Sequence, residues 1–222
     1  MKKYLLTDCP VKHLINQIPP IFNENILKDS RIIHFTKNEY LNHEGDTFDY
    51  LFFILSGKTK ILRNEPNGKQ RIAQFLSAGD FIGDLALVKG EKKSSDILAI
   101  GEVWTFAIPQ VIAQEELYYD VQFLQTIARH IAQKMLLRTD HFTKNQSFSL
   151  KYRLAMLLLE FSTDNIYEEK HEQIADYLGT SYRHLTYTLK WLRDNQYISK
   201  QKKGYLIFPD KLKQLIAEAN HY

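Results

Sequence analysis

The pattern of hydrophobic and polar positions changes near the middle of the chain. Up to Pro109, short runs rich in β-branched and aromatic residues alternate with turn residues. The clearest runs are Arg31–Phe35, Tyr50–Leu55, Lys58–Arg63 and Arg71–Phe75. Glycines recur between the runs, and the pair Asn67-Gly68 is a hairpin signal. This spacing predicts an all-β barrel or jelly roll rather than a parallel α/β sheet.

Beyond Pro109 the turn residues disappear, because residues 111–178 contain neither glycine nor proline. Long helices are therefore expected. In the first of them an apolar stripe, broken only by Arg138, comprises Leu124, Ile127, Ala128, Ile131, Met135 and Phe142. Such a narrow stripe is typical of a helix that pairs with a twin helix. Packing against the β domain of the same chain explains it equally well, and the pattern leaves both interpretations open.

A second amphipathic helix begins near Leu150, and the chain then reads as helix, tight turn, helix. Gly179 suits the left-handed position that ends a helix, and Ser181 is a good N-cap for the next one. The small residue Ala175 allows two helices to cross closely, and Leu185 fills the contact between them. This set has the spacing of helix-turn-helix DNA-binding domains.

The helix after this turn has two different faces. Leu185, Leu189 and Leu192 form its inward stripe, and hydrogen-bonding side chains cluster on another face near its start. The residues predicted to contact DNA are Ser181, Tyr182, Arg183, Thr186, Tyr187 and Lys190. The plain alternative is a solvated helix face that binds nothing.

Two short apolar segments then flank a lysine-rich glycine turn, as in the wing of a winged helix. Lys200, Lys202 and Lys203 therefore join the residues predicted to contact DNA. From Ser181 to Tyr205 six basic residues stand against one acidic residue, whereas residues 160–176 hold six acidic residues and one basic residue. Such segregated charge allows one end of the domain to meet a phosphate backbone.

Composition narrows the class of protein. The 222 residues, 44% of them hydrophobic and 25% charged, are typical of an ordinary globular protein of one to two domains, and the net charge of +3 says little about partners. The apolar start is too short for a secretion signal, and the longest aliphatic run is too short to span a membrane. The single cysteine, Cys9, excludes an internal disulfide, an iron–sulfur cluster and a cysteine-rich zinc site, so a reducing cytoplasm is expected.

An enzyme is not expected. The sequence contains no P-loop, no Gly-x-Ser-x-Gly and no His-Glu-x-x-His motif. A cupin-like metal site would need clustered histidines, and His34 and His43 are poorly spaced for one. No metal site is therefore predicted.

Four segments of the chain together resemble those of a known protein family. In the β-rich half these are residues 50–57 and 78–87, and in the other half residues 173–181 and the lysine-rich wing. They resemble the Crp/Fnr family of bacterial transcription regulators, and residues 178–185 and 202–207 resemble its YeiL branch. The resemblance implies an α+β multidomain fold. It would comprise a cyclic-nucleotide-binding-like β-roll or jelly roll at 1–118, a dimerisation helix and hinge at 119–147, and a winged helix-turn-helix at 148–222.

The resemblance also points to an effector site. Family members that bind cyclic AMP use a glycine–glutamate turn and an arginine–serine pair. The corresponding residues here are Gly83, Asp84, Leu85, Lys93 and Ser94. Aspartate reaches less far than glutamate, and lysine cannot form the two-pronged pairing of arginine. These departures weigh against a cyclic nucleotide and leave another small anion or a relic pocket as alternatives.

We therefore predict a homodimeric transcription regulator that binds double-stranded DNA at a near-palindromic operator. The resemblance favours dimerisation as the role of the long helix, and it implies RNA polymerase as a further partner. The alternative is a ligand-binding signalling module whose C-terminal domain contacts protein rather than DNA.

Overall fold

The computed structural model describes residues 1–90 and 94–219, and for residues 141, 142, 144–146 and 219 it describes the backbone alone. The described chain divides into two compact units. The first comprises residues 1–63 and 73–135, and the second comprises residues 64–72 and the chain from 136 onward.

Within the described residues, nine strands form the β-rich part of the chain. They are β1 (Lys2–Tyr4), β2 (Arg31–Phe35), β3 (Tyr40–Asn42), β4 (Tyr50–Ser56), β5 (Lys58–Asn64), β6 (Gln70–Ser77), β7 (Phe81–Ile82), β8 (Asp96–Ala99) and β9 (Val103–Pro109). The helical segments are 3-10 turns at Leu6–Asp8 and Lys12–Gln17, α1 (Glu24–Asp29), α2 (Asp84–Leu87), α3 (Gln110–Ile112), a π-helical turn at Ala113–Leu117, and α4 (Val121–Ser147).

The strands form two antiparallel sheets. One has the order β1-β2-β9-β4-β7 and the other the order β3-β8-β5-β6. The four predicted runs coincide with β2, β4, β5 and β6, and Gly68 lies in the tight turn between the last two. The predicted jelly roll is confirmed. Its core consists of two apolar clusters, one around Phe106 and Ile108 and one around Phe35 and Ile54.

Helix α4 contributes to the first of these clusters. Phe123 and Ile127 are fully buried in it, and Ile131 packs against it. The prediction that Ile127 contacts a partner helix is therefore wrong, because its side chain is inside its own chain. A spacing of three and four residues does not distinguish two stripes that lie next to each other on one helix.

The second unit is mostly helical. Its elements are α5 (Leu150–Phe161), β10 (Ile166–Tyr167), α6 (His171–Tyr177), α7 (Tyr182–Asp194), β11 (Ile198–Lys200), β12 (Tyr205–Ile207) and α8 (Pro209–Ala219). Helix α5 packs against α7 and α8, and α6 packs against α7. The three strands form an antiparallel sheet in the order β10-β12-β11, of which the sequence predicted the last two strands.

Among the described residues, no helix is both long enough and apolar enough to cross a membrane.

Candidate nucleic-acid interface

The turn between α6 and α7 has the geometry that the sequence predicts. The amide of Gly179 donates to the carbonyl of Asp176 at 3.1 Å, and the amide of Thr180 donates to the carbonyl of Ala175 at 2.9 Å. This pair of bonds closes the end of α6 around a left-handed residue, and Gly179 has a φ of +61°. The turn therefore directs the chain sharply into α7.

Helix α7 starts with a side-chain cap and exposes the predicted face. The hydroxyl of Ser181 accepts a hydrogen bond from the amide of His184 at 3.1 Å, so its predicted role as N-cap is confirmed. The inward stripe of Leu185, Leu189 and Leu192 is buried. The other predicted DNA-contacting positions of α7 are exposed, namely Tyr182, Arg183, Thr186, Tyr187 and Lys190. These side chains are thus available to a partner of this unit.

The wing is a tight hairpin that needs glycine at its last turn position. Gly204 has a φ of +71°, and a Cβ atom there would overlap the carbonyl oxygen of Tyr167 on the neighbouring strand. Lys200, Lys202 and Lys203 are exposed along this turn. Close backbone packing below the turn therefore supports a hairpin that carries three exposed lysines.

An aromatic contact that the sequence did not predict links the wing to α7. The ring of His171 lies 5.9 Å from the ring of Tyr205 at an angle of 25°, and 6.4 Å from the ring of Tyr182. The ammonium of Lys200 lies 4.5 Å from the centre of the Tyr205 ring. His171 therefore lies between the wing and the start of α7. Burial, together with the charge of Lys200, lowers the pKa of His171 below 6.5.

A second residue missed by the sequence analysis supports the turn from below. Arg153 on α5 donates from Nη1 to the carbonyl of Leu178, and from Nε to the carbonyl of Phe148 at 2.9 Å. One guanidinium thus joins the segment that precedes α5 to the residue just before Gly179. Position 153 lies among apolar residues, and the periodicity of α5 gives no sign of this role.

The candidate effector residues lie elsewhere, around α2 of the β-roll. Gly83 precedes α2, Asp84 and Leu85 begin it, and Lys93 lies outside the described residues. A carboxylate oxygen of Asp84 is 2.9 Å from the ammonium of Lys134 on α4. The hydroxyl of Ser94 contacts the backbone carbonyls of Asp46 at 2.6 Å and His43 at 3.0 Å. The side chains of Asp84 and Ser94 are therefore bonded to their own chain, and in this arrangement these two groups do not fit a cyclic nucleotide.

The dimerisation residues divide between two environments. Ile127 is buried, Leu124 and Ile131 are half-buried, and Ala128 and Met135 are exposed, while the side chain of Phe142 lies outside the described residues. Leu136 and Leu137, which the sequence analysis did not include, are 65% and 64% exposed. Helix α4 therefore carries several apolar side chains that are exposed in this chain.

Among the described residues, no group of three or more His, Cys, Asp or Glu side chains is placed to hold a metal ion.

Comparison with known proteins gives two domain matches and several relatives that match most of the chain. Residues 32–117 match the cyclic nucleotide-binding domain, and residues 152–215 match the Crp-like helix-turn-helix domain. The chain is 34% identical to the regulatory protein YeiL of Escherichia coli O157:H7 over 84% of this chain and 85% of that protein. The chain belongs to the Crp/Fnr family.

Other members of the Crp/Fnr family extend the comparison. The cAMP-activated global transcriptional regulator CRP of Salmonella typhimurium is 22% identical over 83% of this chain and 93% of that protein. A solved CRP/FNR transcriptional regulator from Thermus thermophilus has a TM-score of 0.65 and 20% identity, with 85% of this chain and 99% of that one covered. The relatives are named as regulators and not as enzymes, so this Crp/Fnr protein is a transcription regulator with a helix-turn-helix domain.

Proposed function

We propose that the chain is a sequence-specific DNA-binding regulator that inserts the start of α7 into the major groove. The observation that carries this proposal is the exposed face of α7, which begins at the Ser181 cap and includes Arg183 and Tyr187. Recognition helices read base edges with their N-terminal residues, and arginine pairs with guanine through two hydrogen bonds. The wing lysines supply phosphate contacts that give affinity without sequence preference.

The proposal includes a homodimer that forms through α4. Ala128 and Met135 are exposed at a spacing of seven residues, and Met135 exposes 70% of its surface. Leu124 and Ile131 lie on the same stripe. A seven-residue apolar repeat buries itself best against a second copy of the same helix. Two subunits would then bind half-sites about one turn of DNA apart, roughly 34 Å, and the operator would be nearly palindromic.

RNA polymerase and a cytoplasmic site of action belong to the same proposal. A protein that controls transcription at a bacterial promoter meets the polymerase there. The single cysteine, Cys9, is buried and free, which suits a reducing compartment.

Fluorescence anisotropy with labelled promoter fragments tests the proposal. We expect nanomolar to micromolar binding that weakens steeply as salt rises, because phosphate contacts release counterions. The double substitution Lys202→Ala with Lys203→Ala should reduce the slope of log affinity against log salt by about 0.9 for each lysine that contacts a phosphate. Lys28→Ala, an exposed change in the β-roll, is the matched control and should leave the slope unchanged. Binding without salt dependence, or with equal loss in the control, would contradict the proposal.

A further inference from the structure

The carboxylate expected to hold a ligand in the β-roll already has a cationic partner. Asp84 is 5% exposed, and its Oδ2 is 2.9 Å from Nζ of Lys134. The same ammonium donates to the carbonyl of Phe81 at 2.7 Å. Lys134 thus makes two hydrogen bonds to the segment that surrounds the Gly83 turn, and its own side chain is only 14% exposed.

A second residue of α4 contacts the same segment. Nε2 of His130 accepts a hydrogen bond from the amide of Phe81 at 3.2 Å and lies 3.7 Å from a carboxylate oxygen of Asp80. The rings of Phe81 and His130 meet edge to face at 5.3 Å. His130 and Lys134 are four residues apart, so they lie on one face of α4. Both of them contact the segment that precedes the Gly83 turn.

Ser94, the serine expected to contact the phosphate of a cyclic nucleotide, also has partners within its own chain. The Ser94 hydroxyl has one proton to donate, and two backbone carbonyls, those of His43 and Asp46, lie within hydrogen-bonding distance of it. The residue is 7% exposed. Donation to a phosphate would therefore require these bonds to break.

We propose that Lys134 takes the place of an effector: the ion pair with Asp84 closes the site, and the chain neither binds nor needs a cyclic nucleotide. A ribose hydroxyl is neutral, so it would have to replace an ion pair, in which both groups are charged, by a hydrogen bond in which only the Asp84 carboxylate is charged. The displaced ammonium would also be left buried without its counter-charge, which is strongly unfavourable. The inference deepens the proposed function, because it states how the regulator is controlled. It rests on that function only in the experiment that measures DNA binding.

Titration calorimetry of the full chain with cyclic AMP and with cyclic GMP tests the closed site. We expect no saturable binding up to about 1 mM of either nucleotide. Saturable binding of either one would overturn the proposal. If Lys134→Met then abolished that binding, Lys134 would be a ligand contact and not an internal replacement for the ligand.

A double-mutant cycle in thermal melting tests the ion pair itself. Lys134→Met and Asp84→Asn should each lower the Tm by about 5–10 °C, since each leaves a buried charge without its partner. The double variant should lose less than the sum of the two, because it leaves no unpaired charge. Lys28→Met, an exposed lysine of the same unit, is the control and should change the Tm by about 1 °C at most. Single variants that melt like the wild type, or losses that simply add, would overturn the proposal.

DNA binding measured with and without cyclic AMP separates this inference from the proposed function. Equal affinity in both conditions is expected, and a tenfold or greater rise with the nucleotide, on the order of the usual allosteric coupling, would overturn the inference. If DNA is bound in neither condition, the proposed function fails, and calorimetry and melting still decide whether the site is closed.

Discussion

The winged helix-turn-helix and the β-roll hold their candidate functional side chains in opposite ways. On α7, Tyr182 and Tyr187 expose 53% and 68% of their surface. In the β-roll, Asp84 and Ser94 are buried and bonded to their own chain. A group in water exchanges solvent for a partner at little cost, whereas a buried, bonded group must first break its internal bond. The difference supports the two proposals, that the exposed face of α7 binds DNA and that the site around Asp84 is closed.

A substitution of the wing glycine should have the largest effect, and it concerns the stability of the second unit. Gly204→Ala should lower the free energy of unfolding by about 2–5 kcal/mol, because it adds left-handed strain and a clash with the carbonyl of Tyr167. Gly179→Ala is the matched control, since its φ is also positive but nothing lies within 4 Å of the added Cβ. Chemical denaturation should show the smaller loss, about 1–2 kcal/mol, for the control. Equal losses would show that the packing under the wing is not tight.

Removal of a base-reading side chain should have the next largest effect. Arg183→Ala should weaken binding to the preferred DNA sequence by roughly 5- to 150-fold for each half-site, and should relax the preference at one base position. Anisotropy with matched and mismatched DNA measures both changes. A uniform loss on every sequence would instead make Arg183 a phosphate contact.

The aromatic link between wing and α7 should contribute less. His171→Ala removes the ring between Tyr205 and Tyr182, and should weaken DNA binding by about 2- to 12-fold through a less ordered wing. His171→Phe keeps a ring in the same place and should restore most of the affinity. If the phenylalanine variant binds as poorly as the alanine variant, the imidazole itself contacts DNA.

The smallest expected effect is a pH dependence of the thermal stability, and it comes from His130, whose side chain contacts the β-roll. Burial, and then the charge of Lys134, lower the pKa of His130 below 6.5, so the folded chain favours neutral imidazole. The stability that this provides is fully present above 6.5 and is lost as the pH falls through the lowered folded value. Protonation of Nε2 would also remove the acceptor of the Phe81 amide.

Melting curves from about pH 7 to about pH 5 should show this loss. The Tm of the wild type should fall by about 2–4 °C more than that of His130→Gln, whose amide oxygen can still accept the hydrogen bond. Parallel curves for the two proteins would contradict the role of His130.

Local signals explain why the DNA-binding half was predictable from sequence. The Gly179 turn, the Ser181 cap and the wing each depend on residues close together in the chain. The β-strand runs were predictable for the same reason, because alternation and turn residues are local properties. Strand β10 was missed because two residues, Ile166 and Tyr167, are too few to show alternation.

The parts that sequence reasoning missed depend on contacts between distant residues. Lys134 and Asp84 are 50 positions apart, and no spacing rule connects them. His171 meets Tyr205 only after the sheet of the second unit has formed. Ile127 shows a third limit of prediction from sequence. Two apolar stripes on α4 have the same period, and only the packing of the folded chain decides which of them is buried.

We propose that α7 and the wing read a specific DNA sequence without an added effector. Selection from a randomised double-stranded DNA library by the full chain, with no nucleotide present, tests this proposal. We expect an enriched near-palindrome with half-sites about one helical turn apart, lost when Arg183→Ala is combined with Tyr182→Ala. No enriched sequence, or the same sequence enriched by the double variant, would contradict it.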